Sequence, residues 1–259
     1  ATSVDDGAIA LLARVFPELV EIELRDTSPR ALKLAPASFV PDAPPAFPKL
    51  EVVNLSGCEG VRHSTALTVL ASGAPMISRL HLAANPHVGR AWMLELRKGF
   101  PMLEHLDLSA CSALNDATIS AIKGPNLRVL DISWRYEQWC QASSVRKISA
   151  AALTALGRNC KNLEELSLAW LRRVPPDAVI KLAAKLPKLR LLRAQGLASP
   201  FKHPLLDQLI AEMVRENAPC LTVSVPLVTH LAIEDGGATI TVDNSSDVTI
   251  QLHRPPPPS

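Results

Sequence analysis

Three residues could take part in proton transfer if the fold brings them together, namely His81, His105 and Asp107. His81 and Asp107 occupy equivalent places in two copies of a repeated pattern, so we expect them to be lateral neighbours, with His105 close by. An imidazole beside a carboxylate is part of the catalytic triad of serine hydrolases. No nucleophile turn, glycine-rich phosphate loop or paired-carboxylate motif accompanies them. We therefore expect a surface ion pair, no catalytic residues, and a protein that is not an enzyme.

The cysteines offer a second possible chemistry. There are five of them, an odd number, with no CxxC pair and no His/Cys cluster at metal-ligand spacing. We predict free thiols in an intracellular, reducing compartment, either the cytoplasm or an organelle matrix, with no metal and no cofactor. Cys58 and Cys111 recur at the same repeat position, which predicts buried structural residues rather than nucleophiles.

Composition excludes several other classes of protein. Hydrophobic residues make up 47% of the chain but aromatic residues only 4%, which favours many small, similar core layers. The 27 basic and 25 acidic residues leave a net charge of +2, which argues against a dedicated nucleic-acid binder. No apolar run approaches the roughly 18–20 residues of a membrane span.

The main signal is an internal repeat of the form Pro-x-Leu-x-x-Leu-x-Leu. Its first apolar positions stand at residues 19, 50, 77, 103, 127, 163, 189 and 221, and a proline precedes seven of these eight by two residues. The alternating apolar pair that ends the pattern is typical of a short strand, and a helical stretch follows. The repeat predicts an α/β leucine-rich-repeat horseshoe, which is a right-handed solenoid with a parallel sheet inside and helices outside.

The pattern also predicts the domain boundaries. The array covers 1–226, with strands near 19–24, 50–55, 77–82, 103–108, 127–132, 163–168, 189–194 and 221–225. Strand-like alternation around 231–233, 240–242 and 248–252, separated by turn residues, predicts a C-terminal β meander over 227–254 that caps the array. The proline-rich tail 255–259 is expected to be disordered.

Three segments carry a resemblance to a known family. The sequences VNLSGC at 53–58, LDLSAC at 106–111 and CKNLEEL at 160–166 resemble the cysteine-containing leucine-rich repeats of F-box proteins. The resemblance covers roughly residues 3–225 and implies the fold more specifically than the function. In F-box relatives a separate helical module precedes the repeats and docks to the ligase adaptor, and we see no such module here. Leucine-rich-repeat subunits without an F-box are also similar in architecture.

Departures from the repeat indicate where a partner binds. Trp134 and Trp170 stand at the same position of neighbouring copies, where other copies place Asp26, Gly57, Ala84, Ala110 and Gly196. The copy with Trp134 is also the longest, since its anchor at 127 is 36 residues before the next one at 163. Trp, Tyr and Arg are enriched at binding hot spots. The candidate partner-binding residues are Trp134, Arg135, Tyr136, Trp139, Trp170 and Arg172. In the alternative interpretation, these aromatic residues only cover a small core belonging to the insertion.

These observations predict a non-catalytic scaffold or adaptor that binds a protein partner through its concave face and this aromatic rim. Two alternatives remain open. The chain could be a permanent structural subunit of a large assembly, for example a mitochondrial or ciliary one, or the substrate-recognition part of an F-box-type ubiquitin ligase.

Overall fold

Each regular copy of the repeat forms a strand of only three residues in the structure, which is a computed structural model. It describes residues 4–5, 15–24, 32–33, 47–58, 64–134, 148–171, 174–183, 185–194, 221–226, 238–242 and 247–252. The chain divides into two compact units, Ala1–Leu127 and Arg128–Ser259.

The first unit contains four parallel strands that are neighbours in chain order. They are β2 (Glu21–Glu23), β4 (Val52–Asn54), β5 (Arg79–His81) and β6 (His105–Asp107). Two further strands, β1 (Val4–Asp5) and β3 (Leu32–Lys33), pair in parallel as a separate sheet. The helices among the described residues of this unit are α1 (Thr65–Gly73), α2 (Arg90–Gly99) and α3 (Asp116–Ala121), and each packs against the next. Asn115 caps α3, as its sequence predicts, by accepting the Thr118 amide at 3.0 Å.

The second unit repeats the same design. Its parallel strands are β7 (Val129–Asp131), β8 (Glu165–Ser167), β9 (Leu191–Arg193) and β10 (Leu221–Pro226). Its helices, α4 (Ala150–Asn159) and α5 (Pro176–Ala183), pack against each other. Parallel strands alternating with helices confirm the predicted fold class, an α/β leucine-rich-repeat solenoid.

The C-terminal segment adds two antiparallel strands, β11 (Ala238–Val242) and β12 (Asp247–Leu252). These two strands of the predicted meander are neighbours, and β12 also pairs antiparallel with β10, the last strand of the array. The predicted strand near 231–233 and the tail 255–259 lie outside the described residues.

Buried apolar residues of the repeat form the core of each unit. The middle strand residues Val53, Leu80 and Leu106 are at most 2% exposed, and so are Leu130, Leu166 and Leu192 in the second unit. The anchors Leu50, Ile77, Leu127, Leu163 and Leu189 are buried as well. Because one residue in two along a strand points inward, the first and third strand residues form an open face.

Three residues after the last apolar residue of the strand pattern, a side chain donates a hydrogen bond to a carbonyl near the end of the preceding strand. Cys58 donates its thiol hydrogen to the Leu24 carbonyl, and Cys111 donates to the Leu82 carbonyl at 3.0 Å. Asn85 occupies the same position and donates its amide to the Leu55 carbonyl at 2.8 Å. Each side chain thus donates to a backbone carbonyl of the preceding repeat. Both cysteines are free and 0% exposed, which confirms the prediction that they are buried and structural.

Candidate functional site

The open face of the first unit carries its charged side chains on adjacent strands in register. Arg79 faces His105 across β5 and β6, and His81 faces Asp107. The predicted lateral neighbours are therefore neighbours in the structure. Arg79 is exposed, while the two histidines and Asp107 are half-buried. Nδ1 of His81 lies 3.7 Å from Oδ2 of Asp107, and the rings of His81 and His105 are 4.8 Å apart at their centroids.

Asp107 is occupied chiefly with the turn that follows its strand. Its Oδ1 accepts the backbone N–H of Ser109 at 2.9 Å. Asn54 and Asp131 make the same contact with the amide two residues onward, at 3.1 and 2.8 Å. Aspartate and asparagine commonly fix turns in this way. Because this contact recurs in three repeats, the third residue of the strand fixes the turn whether or not a histidine lies beside it.

The pKa of Asp107 reflects both its burial and its hydrogen bonds. Burial raises the pKa, but the hydrogen bonds from His81 and Ser109, together with the charge of His81, hold it below the ordinary value of 3.8. The Ser109 hydroxyl contacts the carboxylate, whereas a triad requires a serine that donates to the imidazole. Ser109 is also only 3% exposed. The geometry is therefore that of a carboxylate that fixes a turn, with an imidazole beside it.

The two tryptophans of the predicted aromatic rim occupy equivalent places in adjacent repeats of the second unit. The backbone N–H of Trp134 donates to the carbonyl of Ala169, the residue before Trp170, at 2.8 Å. Gly57 and Ala84 make the same bond to the next repeat in the first unit, also at 2.8 Å. Both indole side chains are half-buried. The other candidates, Arg135, Tyr136, Trp139 and Arg172, lie outside the described residues.

The backbone at this position is left-handed in four of the described copies, a feature that the sequence analysis missed. The φ angle is 70° at Gly57, 58° at Ala84, 55° at Ala110 and 63° at Trp170. Glycine tolerates this region freely, whereas any residue with a Cβ is strained there. The glycine and alanine residues that other repeats place at this position indicate a positive φ. A tryptophan at the same position is therefore unusual for this repeat.

Other kinds of site find no support in the described part of the chain. Within it, no group of three or more His, Cys, Asp or Glu residues is arranged to hold a metal ion. Likewise, none of the described helices is long and apolar enough to cross a membrane.

Comparison with known proteins gives similarity at the level of solved structures only. No family model matches the chain, and no curated protein matches it either. A chain of the TLR13–ssRNA13 complex is 19% identical, with a TM-score of 0.45 over 71% of this chain and 27% of that chain. A chain of the yeast Rad7–Elc1 complex is 13% identical, with a TM-score of 0.38 over 83% of this chain and 65% of that one. This chain thus spans less than two thirds of either, and the fold assignment rests on the strand register and core described above.

Proposed function

We propose that this protein is a non-catalytic scaffold that binds a protein partner through its open strand face and the rim formed by Trp134 and Trp170. The observation that carries the proposal is the conformation of Trp170, a half-buried indole on a left-handed backbone. Strained backbone of this kind concentrates at functional sites.

The turn itself does not require an aromatic residue. Ala84 and Ala110 adopt the same conformation in two other repeats, and Gly57 adopts it in a third. The left-handed backbone therefore does not require tryptophan, because the backbone penalty arises from the Cβ and is the same for alanine. What tryptophan adds is a large aromatic surface, part of which remains exposed.

A second half-buried tryptophan beside Trp170 strengthens the proposal. Trp134 and Trp170 come from adjacent repeats linked by a backbone hydrogen bond, so their Cα atoms are separated by about one strand spacing, ~5 Å. Two neighbouring indoles supply a large contact area and lose little side-chain entropy on binding. In sequence, Arg135 and Arg172 follow each of them closely, and arginine adds directed hydrogen bonds at interfaces.

Replacing Trp170 by glycine tests the proposal, because binding and folding should respond differently. Glycine relieves the left-handed strain, so we expect the free energy of unfolding to change by less than about 1 kcal/mol, even though some packed surface is lost. If the indole is an anchor, partner affinity should fall by about 2 kcal/mol or more, roughly thirtyfold. Quantitative affinity capture with the wild-type protein and this variant in parallel would identify the partner whose recovery falls.

The matched control is Met102→Ala in the first unit. Met102 is 48% exposed, so its truncation removes an apolar surface of another region without touching the rim. A partner lost with Trp170→Gly and retained with Met102→Ala supports the proposal. If Trp170→Gly unfolds the protein and leaves the affinity of the folded fraction unchanged, the indole is only local core and the proposal is wrong.

A substrate receptor of a ubiquitin ligase is the second candidate, and the cysteine position favours it. Cys58 and Cys111 use their thiol hydrogens to hold the repeat together, a task that suits the cysteine-containing repeats of F-box proteins. The same contacts require reduced thiols, which supports an intracellular, reducing compartment. Co-purification with a ligase adaptor would favour this candidate, whereas fixed stoichiometry within one large complex would favour a permanent structural subunit.

A further inference from the structure

The open face of the first unit separates acidic from basic side chains along the order of its strands. β2 presents Glu21 and Glu23, both exposed. Two strands further on, β5 presents Arg79 and His81, and its neighbour β6 presents His105. β4, which lies between β2 and β5, contributes only uncharged side chains to this face. The face is therefore polarised from β2 towards β6.

Arg79 supplies the positive charge of the basic end, where an aspartate also lies. The half-buried carboxylate of Asp107 accepts the Ser109 amide at 2.9 Å and lies 3.7 Å from His81, so it is engaged within the protein. Arg79 has no salt-bridge partner among the residues that the structure describes, and its side chain is exposed. Glu51 and Glu104 each stand one residue before a strand, outside the three-residue segments that form the face.

We infer that this face binds a protein segment that places a basic side chain over Glu21 and Glu23 and an acidic side chain over Arg79. The inference deepens the proposed function, since it rests on the partner being a protein. β2 and β5 are two strand spacings apart, which is about 10 Å. An extended segment covers about that distance in three residues, and a helix covers it in two turns. The partner's two charges therefore lie about three residues apart if extended, or about seven if helical.

The polarity determines the orientation of the partner more than it determines affinity. Complementary charges accelerate encounter and reject a reversed partner, because reversal brings like charges together. Each exposed pair contributes little by itself and is screened by salt. Binding at this face should accordingly weaken as the salt concentration rises, while contacts of the tryptophan rim respond less.

A display selection tests the inference directly, because random peptides replace the unidentified partner as the probe. A random peptide library is selected against the wild-type protein, against Arg79→Glu, and against the triple variant Glu21→Arg, Glu23→Arg and Arg79→Glu. Lys98→Glu is the matched control, since it makes the same change of charge at an exposed position on α2. Circular dichroism verifies that each variant is folded.

We expect wild-type binders to share one basic and one acidic residue at the stated spacing. Individual peptides should lose affinity on the order of tenfold with Arg79→Glu and keep it with Lys98→Glu. The triple variant should select the same two charges in the opposite order. Binders that depend on Trp170 but not on Arg79 would overturn this inference and leave the proposed function intact. A selection that enriches no charged pair, or no peptide at all, would also overturn it, while the proposed function is judged by its own capture experiment.

Discussion

Replacing Asn85 by alanine should destabilise the first unit, and the contacts of this side chain allow the magnitude to be worked out. Asn85 is 1% exposed, and its Nδ2 donates to the carbonyls of Leu55 and Leu82 at 2.8 and 2.9 Å. Without it, the Leu55 carbonyl keeps only a longer bond of 3.3 Å from the Cys58 amide. The Leu82 carbonyl retains the thiol of Cys111.

Two lost hydrogen bonds at about 1 kcal/mol each, and one poorly satisfied buried carbonyl, amount to a loss of about 3 kcal/mol. A gain offsets part of it, because Oδ1 of Asn85 has no hydrogen-bond partner among the described residues and alanine removes this buried acceptor. We therefore expect Asn85→Ala to lower the free energy of unfolding by about 2 kcal/mol. Asn85→Cys should cost about 1 kcal/mol, because the thiol restores one donor, as it does in neighbouring repeats.

Aspartate at this position should be worse than alanine. Its ionised carboxylate has no N–H donor and would face carbonyl oxygens in a buried site. Burial raises the pKa of such a carboxyl, so the variant is most stable below the unfolded pKa of about 3.9 and loses stability as the pH rises through the folded value. The loss of stability of the aspartate variant should thus increase with pH. A loss caused only by a change in side-chain volume would not depend on pH.

Urea unfolding of the full chain, followed by circular dichroism at several pH values, measures these differences. Asn126→Ala is the matched control, because the Asn126 amide makes a bond of similar length, 2.9 Å to the Pro101 carbonyl, at an exposed site. We expect the control to change stability by less than about 0.5 kcal/mol. Equal losses for both alanine variants, or an aspartate variant as stable as the alanine variant at neutral pH, would refute the reasoning.

Three further outcomes follow from the described contacts. Cys58 and Cys111 should react slowly with a thiol reagent in the native protein and rapidly in denaturant, and fast native labelling of both would contradict their burial. Because the pKa of Asp107 is lowered in the folded state, its contribution to stability is present above the unfolded pKa of about 3.9 and is lost as the pH falls through the folded value. Asp107→Asn should remove that part of the acid dependence in urea titrations, and an unchanged profile would argue against it. Trp170→Ala should unfold at a lower urea concentration than Trp170→Gly, because alanine keeps the left-handed strain that Ala84 and Ala110 also carry, and equal midpoints would contradict this.

The repeat made most of the fold predictable from the sequence. One copy of the pattern alone would leave the position of its strand uncertain, but eight aligned copies fix it. The strand positions and the proximity of His81 to Asp107 could therefore be derived by aligning the repeats. The strands proved shorter than the predicted segments, since only three residues per copy pair with both neighbours. The C-terminal order of strands could not be derived, because no repeat constrains which strand of a hairpin reaches β10.

The candidate site was predictable in its position but not in its physical basis. Alignment placed Trp134 and Trp170 together because the repeat fixes their register, whereas a φ of 63° at Trp170 depends on a turn that residue identity alone does not specify. Gly57, Ala84 and Ala110 indicate what the turn requires, which is a residue small enough to tolerate the left-handed region. A tryptophan there contradicts the local preference of its own repeat. In the rest of the repeat, the hydrophobic pattern, the core and the turns agree with one another. A residue that conflicts with its local backbone preference in such a chain is expected where it was selected for function rather than for folding.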